Sequence, residues 1–148
     1  MAASMIASVL LISISLASCA SAPEYPIYPP PITETLPVSN RVAFQIAREI
    51  LLEDPRVEIH TIDPDGRIVV REISSGFIFW QERTILDFFL QPADSARSRI
   101  TMYSRAEGYE WGGLTRPAGW YPSAEVDTFL AEDLLGLIKT KAAEAAGR

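Results

Sequence analysis

His60 is the only histidine of this 148-residue chain, and histidine is the side chain that most readily transfers protons near neutral pH. It lies in an apolar–polar alternation over residues 57–62, which is typical of a histidine on the exposed or partly covered face of a strand. A serine hydrolase would also need a serine in a Gly-x-Ser-x-Gly turn, and the sequence contains none. Glycoside cleavage needs two carboxylates flanking the bond, for which Asp87, Glu107 and Glu110 are available. Asp87 lies within an otherwise apolar strand, where we expect it to face solvent or to pair with an arginine. The spacing of the three carboxylates does not predict convergence, so we expect a domain that is not an enzyme, with a cell-wall hydrolase using Asp87 or Glu110 as the minor alternative.

The composition argues against metal, cofactor and nucleic-acid sites. One cysteine and one histidine cannot form a zinc site of clustered ligands, and a single cysteine excludes a disulfide within the chain. Asp63-x-Asp65-Gly66 begins like a calcium-binding loop, but the later ligands are missing and a hairpin turn is the better explanation. The 19 acidic and 13 basic residues give a net charge of −6, which disfavours nucleic acid as a partner. We therefore expect no metal, no cofactor and no nucleic acid.

The first 18 residues form an apolar segment without a charged side chain. Its core runs from Ile6 to Leu16, which is too short to cross a bilayer as a helix, since a crossing takes about 20 residues. At an amino terminus such a segment is typical of a secretory signal peptide. The four residues Leu16-Ala17-Ser18-Cys19 then resemble the lipobox of bacterial lipoproteins, in which small residues precede the cysteine that is lipidated.

This resemblance implies how the chain is processed and where it is attached. Signal peptidase II would remove residues 1–18, and Cys19 would carry a diacylglyceryl group on its sulfur and commonly an acyl chain on its new amine. Each buried methylene contributes about 0.8 kcal/mol, so two or three acyl chains would hold the protein stably in the membrane. Ala20 and Ser21 lack the aspartate that favours retention in the inner membrane of two-membrane bacteria. The resemblance therefore implies an outer-membrane anchor facing the periplasm, with the lipid membrane as a partner through acylated Cys19.

Residues 19–38 are predicted to form a lipidated, proline-rich tether. They contain six of the eleven prolines, at positions 23, 26, 29, 30, 31 and 37. Proline fixes φ and lacks an amide donor, so the segment should be extended and reach at most roughly 60 Å at about 3.1 Å per residue. The simplest interpretation is a spacer between membrane and domain. The alternative is a docking peptide over residues 25–31, because tyrosine and proline together suit aromatic-lined grooves.

Helices are predicted at both ends of the remaining domain, residues 39–148. Ser39 or Asn40 is expected to cap the first helix, whose apolar residues recur every three or four positions until Pro55. Ser123 is expected to cap the second, with acidic residues near its positive end. The buried stripe of the second helix is predicted to consist of Val126, Phe129, Leu130, Leu134, Leu137 and Ile138.

Between the helices the pattern predicts an antiparallel meander of about five strands. Residues 57–73 should form a hairpin around the turn Asp63-Pro64-Asp65-Gly66. The apolar runs 77–80 and 85–90 favour two further strands, with a helix as the alternative for runs this short, and residues 99–105 are a fifth. With both helices packed on one face of this sheet, the predicted fold class is α+β.

Aromatic residues are concentrated in the second half of the chain, where ten of the fourteen lie between Phe77 and Tyr121. Strand alternation gives the middle strands two apolar faces, and two helices cover one of them. The other face is predicted to be a binding surface, or else to be covered by the Gly- and Pro-rich residues 106–122 folding back over it. The residues assigned to this surface are Trp80, Ile85, Phe89, Tyr103, Tyr109, Trp111, Trp120 and Tyr121. Arg97, Arg99, Arg105 and Arg116 are candidates for its border, with scattered, solvated arginines as the simpler interpretation.

Two functions agree with these features. The preferred hypothesis is a lipoprotein whose small non-catalytic domain binds a protein of the cell envelope or a second copy of itself. The other is a lipoprotein that holds a small ligand, such as a lipid or glycan fragment, between the sheet and the aromatic segment. The tether, the acidic domain and the two apolar sheet faces favour the first.

Overall fold

An antiparallel sheet of six strands carries two helices on one of its faces, in a computed structural model that describes residues 28–73, 81–123, 126 and 128–148. The elements in chain order are β1 (Ile32–Leu36), α1 (Asn40–Glu53), β2 (Val57–Asp63), β3 (Arg67–Glu72), β4 (Glu82–Pro92), β5 (Ser98–Glu110), β6 (Gly119–Ser123) and α2 (Phe129–Ala146). The strand order is β1-β5-β4-β3-β2, and β6 pairs with β5 beyond the end of β1. The predicted α+β class with one helix near each end is therefore confirmed, whereas the predicted strand at residues 77–80 lies outside the described part.

The hydrophobic core lies between the sheet and the two helices. Strand alternation places every second residue of β4 and β5 on this side, and the largest of them are fully buried. Phe88 occupies the centre, with Ile68 opposite it on β3 and Met102 opposite it on β5. The helices contribute the buried residues Ala43, Ala47, Leu51, Leu134, Leu135, Ile138 and Ala142. Neither helix in the described residues has the length and apolarity needed to cross a bilayer.

The first strand corrects the predicted boundary of the tether. Residues 32–36 form β1, which pairs with residues 98–102 of β5, and both Leu36 and Val38 are buried in the core. Residues 32–38 therefore belong to the folded domain and not to the tether predicted over residues 19–38. Proline is tolerated beside a strand at the edge of a sheet, and here Pro31 and Pro37 flank β1 instead of interrupting it.

The second helix begins later than the sequence pattern predicts. Ser123 ends β6 instead of capping the helix, because residues 119–123 pair with β5 and satisfy their backbone groups there. The helix starts at Phe129, after Thr128. The predicted stripe is correct for Leu130, Leu134 and Ile138. It is wrong for Phe129 and Leu137, which are 71% and 46% exposed, and for Val126, which precedes the helix. The described residues 123 and 126 both lie outside this helix.

The hairpin between β2 and β3 has the predicted turn. The amide of Gly66 donates a hydrogen bond to the carbonyl oxygen of Asp63 at 3.0 Å, and the amide of Asp65 donates to Asp63 Oδ1 at 3.0 Å. Gly66 has φ +114°, a conformation that residues with a Cβ rarely adopt. Its carbonyl accepts a hydrogen bond from the amide of Leu90 at 2.7 Å, so the turn is held against β4.

We expect Gly66→Ala to lower the free energy of unfolding by about 2 kcal/mol or more. The new Cβ would collide with the carbonyl oxygen of Leu90, and the positive φ would be strained as well. Gly136→Ala is the matched control, because Gly136 lies inside α2 with open space around its Cα. That change should stabilise the protein by up to about 1 kcal/mol through helix propensity. Chemical denaturation of both variants checks this, and equal stabilities would contradict it.

Candidate binding surface

The face of the sheet opposite the helices, which we call the second face, is formed by the alternate residues of β3, β4, β5 and β6. Residues that pair directly across strands lie on the same face, so Asp87 and Tyr103 belong together, as do Ile85 and Arg105. Thr101 and Phe89 form the next pair along the strands. The described residues place no helix on this face, because both helices contribute to the core on the other side.

Aromatic and aliphatic side chains line the middle of the second face. Ile85 is buried and Phe89 is half-buried, whereas Tyr103 is 48% exposed. The rings of Phe89 and Tyr103 meet edge to face with centroids 5.7 Å apart. β4 and β5 are paired over more residues than any other two strands of the sheet. The backbone that carries these two rings is therefore paired along its length.

Asp87, the acidic residue within an otherwise apolar strand, forms an ion pair across to β3. Arg67 donates hydrogen bonds from Nε and Nη2 to the two carboxylate oxygens of Asp87, at 2.9 and 2.6 Å. The hydrogen bond to Asp87 raises the pKa of the Arg67 guanidinium, which therefore stays charged. The same guanidinium lies 5.3 Å from the centroid of the Phe89 ring. The expectation that Asp87 faces solvent or pairs with an arginine is confirmed.

A second ion pair connects the middle of the face to its aromatic end. Arg83 donates hydrogen bonds from Nε and Nη2 to Glu107 Oε2, at 3.0 and 2.7 Å, and both side chains are largely buried. The Arg83 guanidinium stacks over the Trp120 ring, 4.0 Å from its centroid. Through this stacking, Arg83 of β4 reaches across β5 to β6 and helps to hold β6 against β5.

Residues 106–122 extend the sheet and do not fold back over its second face. β5 continues to Glu110, and β6 returns beside it with Tyr109 opposite Trp120. The Tyr109 ring contacts both Trp111 and Trp120, with centroid distances of 5.3 Å in each case. The segment therefore adds aromatic area to the second face, and Trp111 is 55% exposed at its end.

Two of the residues assigned to the surface by sequence do not join this group. Tyr121 pairs with Gly108 and so lies on the opposite side of the hairpin. There its hydroxyl donates to the carbonyl of Pro117 at 2.8 Å, and Arg116 stacks 5.3 Å from its ring. Trp80 lies outside the described residues. The other residues of the predicted surface lie in two groups on the second face: Ile85, Phe89 and Tyr103 at its middle, and Tyr109, Trp111 and Trp120 at its end.

The arginines of the second face are mostly not those that the sequence suggested. The strand register places Arg67, Arg71 and Arg83 on this face as well, and none of the three was among the candidates. Arg97 instead binds Asp94 within the β4–β5 loop, and Arg116 binds Glu110 within the β5–β6 hairpin. The two remaining candidates, Arg99 and Arg105, lie on strand positions of the second face.

The side chains considered for catalysis do not converge on one site, and the carboxylates among them form ion pairs with arginines. His60 is exposed at the register shift of β2, where it opposes no residue of β3. Each candidate carboxylate is bound to an arginine: Asp87 to Arg67, Glu107 to Arg83, and Glu110 to Arg116. Within the described ranges no group of three or more potential metal ligands is found.

Two adjoining depressions mark the surface between β4 and β5. The larger, with a volume of about 410 Å³, is lined by Asp87, Phe89, Gln91, Thr101 and Tyr103. The other, of about 250 Å³, is lined by Tyr28, Pro29, Ile85, Asp87, Tyr103, Ser104 and Arg105. All lining residues of the larger depression come from one face of two neighbouring strands. The described residues therefore give it a floor and sides but no roof.

Comparisons with protein-family models, curated proteins and solved structures gave no match. The function is therefore inferred from the surface itself.

Proposed function

We propose that this protein is a bacterial lipoprotein, anchored through acylated Cys19, whose non-catalytic domain binds a protein of the cell envelope or a second copy of itself through the second face. The observation that carries the proposal is the presence of two aromatic groups on the helix-free side of the sheet, Phe89 with Tyr103 and Tyr109 with Trp120. We call these two groups together the aromatic row, and Arg105 and Glu107 of β5 lie between them. Aromatic residues and arginine are enriched in protein interfaces and supply most of their binding energy.

The shape of the surface favours a protein over an enclosed small ligand. Small-molecule sites usually surround most of the ligand, whereas the depression lined by Phe89 and Tyr103 has no roof among the described residues. The ion pairs Arg67–Asp87 and Arg83–Glu107 also fix the orientation of the charged side chains beside the aromatic row. A partner can then cover the row without having to reorient these charges.

A photoreactive amino acid at position 103 of the full-length lipoprotein, expressed in a bacterial host, tests the proposal. We expect covalent capture either of one envelope protein or of a second copy, with a yield at least about ten times that at position 52. Leu52 is the matched control position, because it is 54% exposed and lies on α1, on the far side of the sheet. Phe89→Ala should reduce the yield at position 103. Equal yields at the two positions would contradict the proposal.

The small-ligand hypothesis predicts a different result for the same protein. Native mass spectrometry of the purified lipoprotein would then detect a bound lipid or glycan fragment beyond the acyl groups of Cys19. Phe89→Ala should remove it, because Phe89 lines the larger depression. Such a ligand, without capture of a protein at position 103, would favour this alternative.

A further inference from the structure

The chain enters the domain beside the smaller depression of the second face. Tyr28 and Pro29 precede β1, which lies at the edge of the sheet beside β5. Both line this depression together with Ile85 and Asp87 of β4, one strand further in. The start of the described chain therefore forms one wall of the depression, and residues of β4 and β5 form the rest.

The chemistry of this contact matches that of known peptide grooves. Proline-rich segments bind to surfaces lined by aromatic residues because their extended conformation is already formed and costs little entropy on binding. Here the groove offers the Tyr103 ring, the buried Ile85 side chain and the Arg105 side chain to a tyrosine–proline pair. Tyr28 is 47% exposed, so it is partly covered in this position.

We propose that the second face is a docking site for extended tyrosine–proline segments and that its resident occupant is the tether of the same chain, through Tyr28 and Pro29. The segment is joined to β1 by only Pro30 and Pro31, so its effective concentration at the groove is in the millimolar range or above. A weak contact is sufficient at that concentration. The pair Tyr25-Pro26 repeats the same dipeptide three residues earlier, which is one turn of a polyproline helix.

This proposal rests on the proposed function in one respect. It takes the second face to be the surface that binds a partner, and it describes how the tether regulates that binding. A partner that fills the smaller depression, between Ile85, Tyr103 and Arg105, would displace Tyr28 and Pro29, so docking of the tether and filling of this depression by the partner exclude one another. Docking also shortens the spacer. Nine residues from Cys19 to Tyr28 reach about 28 Å, and the thirteen from Cys19 to Ile32 reach about 40 Å, at about 3.1 Å per residue. Partner binding would thus release the domain further from the membrane.

The direct test uses the purified, processed lipoprotein in detergent micelles, with a photoreactive amino acid at position 28 and no other protein present. We expect a cross-link within one chain, mapped by mass spectrometry to the part of β4 and β5 around Ile85 and Tyr103. The same probe at position 114, which is fully exposed at the tip of the hairpin, should give no cross-link to that region. Cross-links from position 28 only to detergent, or only between two chains, would overturn the proposal.

A competition experiment provides an independent measurement. A synthetic peptide with the sequence of residues 25–31 should bind the double variant Tyr28→Ala, Pro29→Ala at least about ten times more tightly than the unaltered chain, because the resident segment no longer competes. Equal affinities, or no binding to either chain, would overturn the proposal. Neither experiment contains an envelope protein. The docking of the tether can therefore stand if the partner proposal fails, and it can fail while capture at position 103 succeeds.

Discussion

Phe88→Ala should lower the free energy of unfolding by about 3–5 kcal/mol, the largest loss of stability that we expect from a single substitution in this protein. Phe88 is fully buried at the centre of the core, between Ile68 and Met102 on the neighbouring strands. Truncation removes the apolar contacts of the ring and leaves a cavity that a sheet of paired strands cannot close. Domains of this size have a total stability of about 5–15 kcal/mol, so the loss is a large fraction of it.

Thermal unfolding of the protein, followed by circular dichroism, measures this effect. A fall in Tm of roughly 10–25 °C corresponds to the expected loss. Leu114→Ala is the matched control, because Leu114 is fully exposed, and it should change the stability by less than about 1 kcal/mol. If Phe88→Ala does not fold, Phe88→Leu should still give a measurable loss of about 1–2 kcal/mol. Similar Tm values for Phe88→Leu, Leu114→Ala and the unaltered chain would contradict the assigned core.

Cys19→Ala should abolish lipidation and leave a precursor that still carries residues 1–18. The resemblance of Leu16-Ala17-Ser18-Cys19 to a lipobox makes the cysteine sulfur the acceptor of the diacylglyceryl group, and alanine has no nucleophile at that position. Incorporation of labelled fatty acid should fall on the order of 100-fold, to background, since no other cysteine is present in the chain. Intact mass spectrometry should show the uncleaved chain.

Ser18→Ala is the control for this experiment, because it keeps a small residue before the cysteine. It should be processed and acylated like the unaltered chain. Processing of Cys19→Ala at the same bond, or an unaltered chain that begins at Cys19 without acyl groups, would contradict the assignment. Cys19 lies outside the residues that the structure describes, so this experiment tests the sequence resemblance on its own.

Local sequence signals predicted those elements whose formation depends on neighbouring residues. The turn Asp63-Pro64-Asp65-Gly66 specifies the β2–β3 hairpin, because proline and a glycine at positive φ suit few other conformations. Helix α1 follows from its apolar spacing, and the pairing of Asp87 with an arginine follows from the cost of leaving a charge unpaired in a half-buried strand. Each of these features can be predicted without knowing which distant parts of the chain lie nearby.

Two boundaries were wrong because distant strands decide them. The sequence pattern predicts residues 32–36 to be part of a proline-rich tether. They pair instead with β5, which lies more than sixty residues later in the chain. Residues 119–123 read as a loop and a helix cap, but pairing with β5 makes them a strand and delays α2 to Phe129. The residues that neighbour such a segment in the sequence do not indicate which distant strand will pair with it.

The sequence by itself determined the α+β class, the helix-bearing core and the presence of a second aromatic face, because these follow from periodicity and composition. Only the tertiary structure decided which aromatic residues share that face, since the register of β4, β5 and β6 places Tyr109 and Trp120 with Tyr103 and directs Tyr121 away. It also decided that Arg67 and Arg83 set the charges there. Each of these outcomes depends on the alignment of strands, and a shift of one residue would send every side chain to the opposite face.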